Sequence, residues 1–577
     1  MTWTRPLVLL SLLTITVAGC ATTAPTPGQN TVSSSAQAVP PARTRTLEAV
    51  IRVEPAFVAA KSLQQAGLTL GSTLRLFNAG LALTDGQGIA RPYLVESLPE
   101  LNSESWQVFP DGRMVTTYRL KPNLTWHDGA PLTAEDFILS WRVYTTPDFG
   151  LSNAAPQALM EDVSAPDSRT VVIHWKRPYP FAGAIEATGQ RNNLPALPRH
   201  LLEHPFQQLP TDAFAALPYW NTEYVGLGPF KVDHWEQGAF IEASAFDGHA
   251  LGRPKIDRVR LTFINDANTA LATVLSGSTQ LLADDAIYFQ QAVVLRREWT
   301  ATQGGSVVVT PGLWRYIQIQ LHPERLTARS LLDQRVRKAL AYGIDKNAIN
   351  EGIYEGEGIN SDTVIPPTVD YYQQVDRAVI KYPFDPRRSE QLMAEAGFSR
   401  GGDGYFASPS EGRFSPELKI IQNAQNEAEQ SIMAATWRQL GFDIQQAVLP
   451  AAQAQDGQTR ATFQAMFTTG GPLGESSLPN LGSLGIPRPE NRWNGTNRSS
   501  WMNAEYDRLV EAYTTTLQRN ERIQQIARMV AIFSDELPAL AINFNPGITA
   551  HTAALTGPQP TAPDSSPTWD VHLWELR

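Results

Sequence analysis

A mixed α/β fold divided into two or three lobes is what this chain of 577 residues predicts, and three observations carry that expectation. The chain is far longer than the roughly 250 to 300 residues at which a single hydrophobic core stops growing. Short runs rich in β-branched and aromatic residues, Arg113 to Leu120, Thr170 to Trp175 and Val259 to Ile264, alternate partly or fully as half-buried strands do. Other segments place apolar residues at helical spacing behind capping residues, so the body mixes strands with helices.

At the start, Met1 to Arg5 is cationic, Leu7 to Val17 is apolar, and Val17-Ala18-Gly19-Cys20 follows. This is the pattern of a secretory signal over residues 1–19 that ends in a bacterial lipobox. The apolar run is shorter than the about 20 residues a membrane span needs. Cys20 is the only cysteine in the chain. Its thiol is expected to carry a diacylglycerol, and acylation of the new amino terminus supplies the further chain that stable anchoring requires. No cysteine is left for a disulfide, a zinc thiolate site or a thiol nucleophile. Residues 20–45 hold almost nothing to bury and are rich in Pro, Ser, Thr and Gly, so they read as a disordered tether. The expected location is extracytoplasmic, lipid-anchored to a cell membrane.

Leu124 to Arg142, LTWHDGAPLTAEDFILSWR, reads as strand, turn and capped helix. Asp128-Gly129 makes the turn, Thr133 caps with Asp136 in the capping-box position, and Phe137, Ile138 and Trp141 form the buried side. On that reading Asp136→Ala costs on the order of 1 kcal/mol. Further on, Asp333 is an N-cap before Val336, Leu340 and Ile344, while Ala428, Ile432, Thr436 and Leu440 form a stripe ending at Gly441. Asn503 caps a helix containing Leu509, and Ile523, Ile526, Val530 and Phe533 mark the apolar face of the next.

Candidate chemistry is sparse. His200 and His204 lie four apart with Glu203 beside them, a spacing zinc sites use, but no third ligand accompanies them. Asp284 and Asp285 are adjacent and read as a solvated turn. Phosphate-loop, dinucleotide, nucleophile-elbow and HExxH motifs are absent, so no catalytic site and no cofactor is expected. Asn494-Gly495-Thr496 fits a glycosylation acceptor, accidental in a bacterial lipoprotein. A net charge of −10 without a basic cluster argues against nucleic acid.

The string from Leu124 to Arg142 resembles the signature of the family 5 extracytoplasmic solute-binding proteins, the dipeptide, oligopeptide and nickel-binding components of ABC importers. Other segments follow in that family's order: Leu76 to Leu81, Asp85 to Gly88, Pro92 to Pro99, Tyr224 to Phe230 (YVGLGPF), Gly252 to Ile264, Leu332 to Ile349, Pro366-Pro367, Tyr382 to Phe398, Gly402 to Tyr405 and Thr568 to Leu576. The resemblance implies a two-lobed periplasmic-binding-protein-like α/β body (type II, cluster C) with an extra subdomain and a ligand cleft between the lobes. By this matching residues 46–75, 222–310 and 540–577 form the first lobe, 76–221 the subdomain and 311–539 the second lobe. It further implies a monomeric receptor that encloses a small-molecule or peptide ligand by hinge closure and passes it to an ABC permease driven by ATPase subunits, without chemistry.

The same matching puts Glu54, Trp314, Tyr316, Tyr371, Tyr372, Gly470, Glu475, Asn480, Arg488, Trp493 and Asn494 at the cleft. Peptide binders of the family usually carry an aspartate that pairs with the ligand's amino terminus. The corresponding stretch here, Ala465 to Leu481, has none, and Glu475 is its single acid. Leu227 also replaces a hydroxyl in the Gly226-Leu227-Gly228-Pro229 segment, so a ligand without a free amino terminus is expected. An extracytoplasmic hydrolase using scattered carboxylates or the His200/His204 pair, and a signalling or adhesion module on the same fold, are the rival readings.

Overall fold

The computed structural model describes residues 44–63, 71–152, 155–188, 193–562 and 565–577. The signal segment, Cys20 and the tether up to residue 43 lie outside the described residues.

One mixed sheet of 11 strands runs through the molecule. Its order is Gln445–Leu449, Glu417–Ile421, Met466–Gly471, Gly305–Ile319, Ala539–Thr552, Leu281–Leu282, Thr46–Ile51, Arg258–Phe263, Phe240–Ala245 and Phe230–Glu236, with Ile359–Asn360 paired to Ala539–Thr552 off this path. The two central strands are antiparallel and long, 15 and 14 residues, and they are shared by two lobes. Val307 to Thr310 opposes Gly547 to Ala550 in the first lobe, while Leu313 to Gln318 opposes Ala539 to Asn545 in the second. At the crossing Pro311 faces Pro546, and the register shifts between Pro311 and Leu313. Neither proline has an N–H to give the ladder, so the sheet is weakest where the lobes meet. The return strand pairs with Leu313 to Gln318 over Ala539 to Asn545 and with Gly305 to Thr310 from Gly547 onward.

Side chains alternate along these strands and divide two cores. On one face Ile317 and Ile319 join a cluster that runs unbroken from Val50, Leu282, Phe289 and Trp299 in the first lobe to Val336, Leu340, Met433 and Trp437 in the second. On the other face the core is split. Leu47, Leu76, Phe77 and Tyr93 belong to one cluster, Trp314, Tyr316, Leu478 and Tyr506 to another, and half-buried Phe181 packs against both. On this face the two apolar cores are therefore separate, with Phe181 between them.

The appended part builds a four-stranded antiparallel sheet, Trp106–Val108, Met114–Arg119, Thr170–Trp175 and Met160–Asp167, crossed by the helix Glu135–Thr145. Its apolar residues, among them Trp126, Phe137, Ile173 and Trp175, merge with the first-lobe cluster. Asp136 does more here than complete a cap. Its Oδ2 accepts from the Thr133 N–H at 2.8 Å, its Oδ1 from the Arg199 N–H at 2.8 Å, and the Trp126 indole N–H points at it from 3.4 Å. Thr133 does not cap the helix with its own side chain. The carboxylate instead ties strand, turn and two helices together, 2 % exposed.

Asp333 and Asn503 cap their helices as the sequence predicts, and Ile523, Ile526 and Val530 are buried. The helix Ala424–Gln439 is rotated from expectation. Its buried face is Asn426, Glu429, Gln430, Met433, Ala434 and Trp437, and Ala428, Ile432 and Leu440 sit at the margin. Two polar residues point inward because each has a partner there: Glu429 is ion-paired with Arg315, and the Gln430 amide donates to the Leu418 carbonyl at 2.6 Å. Gly226 and Gly228 are glycines because backbone lies against them. A Cβ at Gly228 would sit 2.2 Å from the Phe77 carbonyl carbon.

Candidate functional site

In both lobes the parallel strands point their carboxyl ends at the crossing. Thr46–Ile51 runs parallel to Arg258–Phe263 and Leu281–Leu282, and Glu417–Ile421 parallel to Gln445–Leu449 and Met466–Gly471. Open α/β sheets bind ligands beyond such carboxyl ends, and here two sets face one another over a proline-broken ladder.

On the first lobe, Ile51 leads into Arg52 and Glu54. Glu54 accepts from the Trp235 indole at 2.8 Å and the Gly238 N–H at 3.0 Å, which ties it to a hairpin turn at the rim. Arg52 reaches Asp285 at 3.8 Å, with its guanidinium 6.0 Å from the Tyr288 ring centre. Asp284 is not the solvated turn residue the sequence predicts. It accepts from the Ser72 N–H at 3.1 Å, the Thr73 N–H at 2.9 Å and the Thr73 hydroxyl at 2.7 Å, closing the amino end of the helix Gly71–Phe77 from 212 residues away. Burial pushes its carboxyl above the usual range in spite of these bonds.

On the second lobe, Gly471 ends its strand against Tyr316. A Cβ there would stand 2.9 Å from the Tyr316 hydroxyl. Gly474 donates to the Val364 carbonyl at 2.9 Å, and Glu475 follows, half-buried, within the field of Arg519. Arg519 is held firmly charged, first by its hydrogen bonds to Asp370 at 2.6 and 2.8 Å, and its guanidinium lies 5.9 Å from the Tyr371 ring centre. The Tyr372 hydroxyl donates to Asp376 at 3.2 Å, and burial with that acid pushes the phenol up to about 12. Asn480 is exposed at the end of a short helix, its carbonyl accepting from the Thr496 hydroxyl at 2.9 Å. Arg488, Trp493 and Asn494 sit on one loop, with Arg325 5.7 Å from the Trp493 ring centre.

Eight of the eleven matched residues fall in three groups, Glu54 on the first lobe, Glu475 with Tyr371 and Tyr372 on the second, and Asn480, Arg488, Trp493 and Asn494 on the segment 480–494, while Gly470 lies in the strand Met466–Gly471. Trp314 and Tyr316 are interior, 1 % and 2 % exposed, and stack on each other at 4.1 Å. They are lobe core, not open cleft walls. Leu227 is likewise 5 % exposed within the first-lobe cluster, so its loss of a hydroxyl says nothing about the ligand. His200 is taken up at the Asp128 turn, Nε2 to Oδ2 2.7 Å, and no group of three or more metal-ligating side chains occurs among the described residues.

Sequence reasoning missed Arg52 and Arg519, whose partners Asp285 and Asp370 only the fold sets beside them. It also missed the contacts where the subdomain meets the second lobe. Phe181 lies 5.9 Å from Tyr513 and under Arg522 at 5.4 Å, Arg177 pairs with Glu511 at 2.7 Å, and Arg492 pairs with Asp212. No local pattern marks partners several hundred residues apart.

A two-lobed α/β body joined by two crossing strands, with facing strand ends and an appended subdomain, is the architecture of a solute-binding protein. The chain matches the model of the bacterial extracellular solute-binding proteins, family 5, over residues 98–484, more than half its length, and it belongs to that family. The oligopeptide-binding protein AppA of Bacillus subtilis is 24 % identical over 469 residues, 79 % of either chain. The dipeptide-binding protein of Escherichia coli is 23 % identical over 470 residues, 78 % of this chain and 81 % of that one. Relatives from Brucella ovis and other Brucella species are 26 % identical over 308 residues, so the chain spans about half of those relatives' length. In fold it is similar to the oligopeptide-binding protein of Thermus thermophilus complexed with a pentapeptide, with a TM-score of 0.79 at 21 % identity, covering 92 % of this chain and 96 % of that one. No helix among the described residues is long and apolar enough to cross a membrane.

Proposed function

We propose that this chain is the solute receptor of an ABC importer, capturing a peptide or peptide-like solute between its lobes and presenting it to a membrane permease. The observation that carries this reading is the pair of strand-end sets facing each other across the Pro311/Pro546 crossing, on the face where the core is divided. Family membership and the likeness to peptide-binding relatives support it. The receptor acts as a monomer tethered through a lipidated Cys20, and the ligand favours the closed form by binding it more tightly than the open one. Cys20→Ser should move the protein from membranes to the soluble fraction.

Within the cleft, Arg52 and Glu54 serve from the first lobe, and Tyr371, Tyr372, Gly470, Glu475, Asn480, Arg488, Trp493 and Asn494 from the second. Glu475 faces Arg519, a fixed cation, which weakens it as an anchor for a ligand ammonium. The ligand is therefore one whose amino terminus is blocked or unused. Calorimetry with a di- to pentapeptide library and its N-acetylated counterpart tests this: acetylation is expected to leave affinity within about threefold. Binding that vanishes on acetylation yet survives Glu475→Gln would show that another acid holds the amine. Recovered ligand is expected to have unchanged mass, and a cleaved product would install the hydrolase reading instead.

A further inference from the structure

The loop that follows Arg488 contains Asn494-Gly495, the single Asn-Gly step in the sequence, and the fold leaves it chemically unguarded. Asn494 is exposed, and among the described residues neither its side-chain amide nor the Gly495 N–H has a hydrogen-bond partner. Two other asparagines that precede a small residue are held. The Asn78 amide donates to the Val58 carbonyl at 2.8 Å and to the Leu74 carbonyl at 2.7 Å. Asn503 accepts from two backbone N–H groups at 2.9 Å while its amide donates to Glu536 at 2.6 Å. The position after Asn494 must stay glycine. Its φ is 154°, and a Cβ there would stand 2.2 Å from the Gly485 carbonyl oxygen and 3.2 Å from the Pro487 nitrogen. A side chain that would shield the Asn494 amide is thus the one the packing forbids.

An asparagine before glycine is an electrophile beside its own nucleophile. Once the Gly495 N–H gives its proton to hydroxide, the nitrogen attacks Asn494 Cγ. The new N–Cγ bond closes a five-membered succinimide, and the Cγ–Nδ2 bond breaks as ammonia departs with a proton taken from water. Water then opens the ring, giving aspartate when the new bond is cut and isoaspartate when the original peptide bond is cut. Overall one water is consumed and one ammonia released, with no oxidation or reduction. Either product puts a carboxylate where a neutral amide stood. Two residues earlier, Arg492 reaches across to Asp212 of the subdomain. Arg492 and Trp493 already hold left-handed conformations, φ 54° and 61°, and beyond Gly495 the chain is pinned by the Thr496 hydroxyl on the Asn480 carbonyl at 2.9 Å and the Asn497 N–H on the Gly485 carbonyl at 3.0 Å. A new acid beside Arg492 competes with Asp212 for the guanidinium. Isoaspartate also adds a main-chain carbon to a loop that is strained before it and fixed after it.

We propose that Asn494-Gly495 is a site of spontaneous deamidation, and that its acidic product loosens the Arg492–Asp212 contact between the subdomain and the second lobe. The chemistry stands on this loop alone, whereas its effect on solute capture rests on the cleft reading above. The test ages the full-length protein at pH 8 and at pH 6 and follows every asparagine by peptide mapping with mass spectrometry, separating isoaspartyl from aspartyl forms. Position 494 is expected to convert on the order of tenfold faster than any other asparagine of the chain, and faster at pH 8 because hydroxide takes the first proton. Asn494→Gln, whose ring closure is six-membered, removes the conversion. No conversion at 494 at pH 8, or an earlier one elsewhere, would overturn the site. The effect on the lobes is read from ligand-free small-angle scattering of Asn494→Asp, which carries the aspartyl product. Its open-to-closed ratio is expected to rise by up to about fivefold, the worth of an exposed ion pair, and so to enlarge the particle. Asp212→Asn enlarges it likewise, and Asn494→Asp adds nothing further in that background. Equal radii for the parent and Asn494→Asp, or additive effects in the double variant, would overturn the coupling to Arg492.

Discussion

At the scale of single residues, the strongest statement concerns Asp136. Removing its carboxylate takes the acceptor from the Thr133 N–H, the Arg199 N–H and the Trp126 indole together, one fully buried donor and two partly buried ones. Asp136→Ala is therefore expected to cost about 2–4 kcal/mol, well above a lost cap, with ligand affinity of the folded fraction unchanged. Chemical denaturation beside calorimetry separates the two effects. His249 makes a pH prediction. Neutral, it bridges the Tyr93 hydroxyl and the Gly252 carbonyl at 2.8 Å each, and burial takes it down to about 3. Below pH 6.5 the unfolded chain binds a proton here that the folded protein refuses until about pH 3. Stability present above pH 6.5 is thus lost as pH falls through that window, by up to about 1.4 kcal/mol per unit. His249→Asn should flatten the decline of the urea midpoint between pH 7 and 4, and an unchanged slope would remove His249 as its source. The acid in LTWHDGAPLTAED was legible as a helix-start residue because that signal is local. Its bond to Arg199 was not, since nothing local links positions 63 apart.

At the scale of elements, the crossing of the long strands makes its own prediction. A Cβ on Gly312 would fall 2.9 Å from the Gly547 nitrogen and 3.0 Å from its Cα, backbone that cannot turn aside. A Cβ on Gly547 would meet nothing closer than 3.3 Å. Gly312→Ala should destabilise by about 1–3 kcal/mol and Gly547→Ala by clearly less, as thermal melts would report; equal losses would mean the strands separate freely there. Strands and caps were readable because alternation and capping act within a few residues. The face of Ala424–Gln439 was not, because apolar spacing selected Ala428 and Ile432 while the ion pair with Arg315 and the bonds of Gln430 decided the rotation.

At the scale of the whole molecule, lobe closure is expected to depend on the contacts opposite the crossing. The ion pairs there are exposed and worth at most about 1 kcal/mol each, so Phe181, wedged against both cores, is the larger contributor. Phe181→Ala should weaken ligand binding roughly 3- to 10-fold, the worth of an aromatic contact, and enlarge the ligand-free particle in small-angle scattering. Unchanged scattering and affinity would place closure elsewhere. The family and its two lobes were legible from ordered motifs along the chain. The contact residues were less so, because aromatic residues fill cores and clefts alike, and Trp314 and Tyr316 took the first role.

The route of the chain through the shared sheet also dictates an order of assembly. The second lobe is a single stretch between Gly312 and Pro546, so its strands and helices can find each other as soon as they exist. The first lobe cannot. Leu281 and Leu282 pair with His551 and Ala550, Val571 and Trp574 fill the core around Leu47 and Leu76, and the Thr568 hydroxyl donates to the Ser72 carbonyl at 2.8 Å across 496 residues. Loops of that length close late. A newly made chain thus holds its first lobe open until residues 568–574 are present, and ending it after Pro567 should leave a protein in which amides of the second lobe resist exchange while those of Thr46–Ile51 do not.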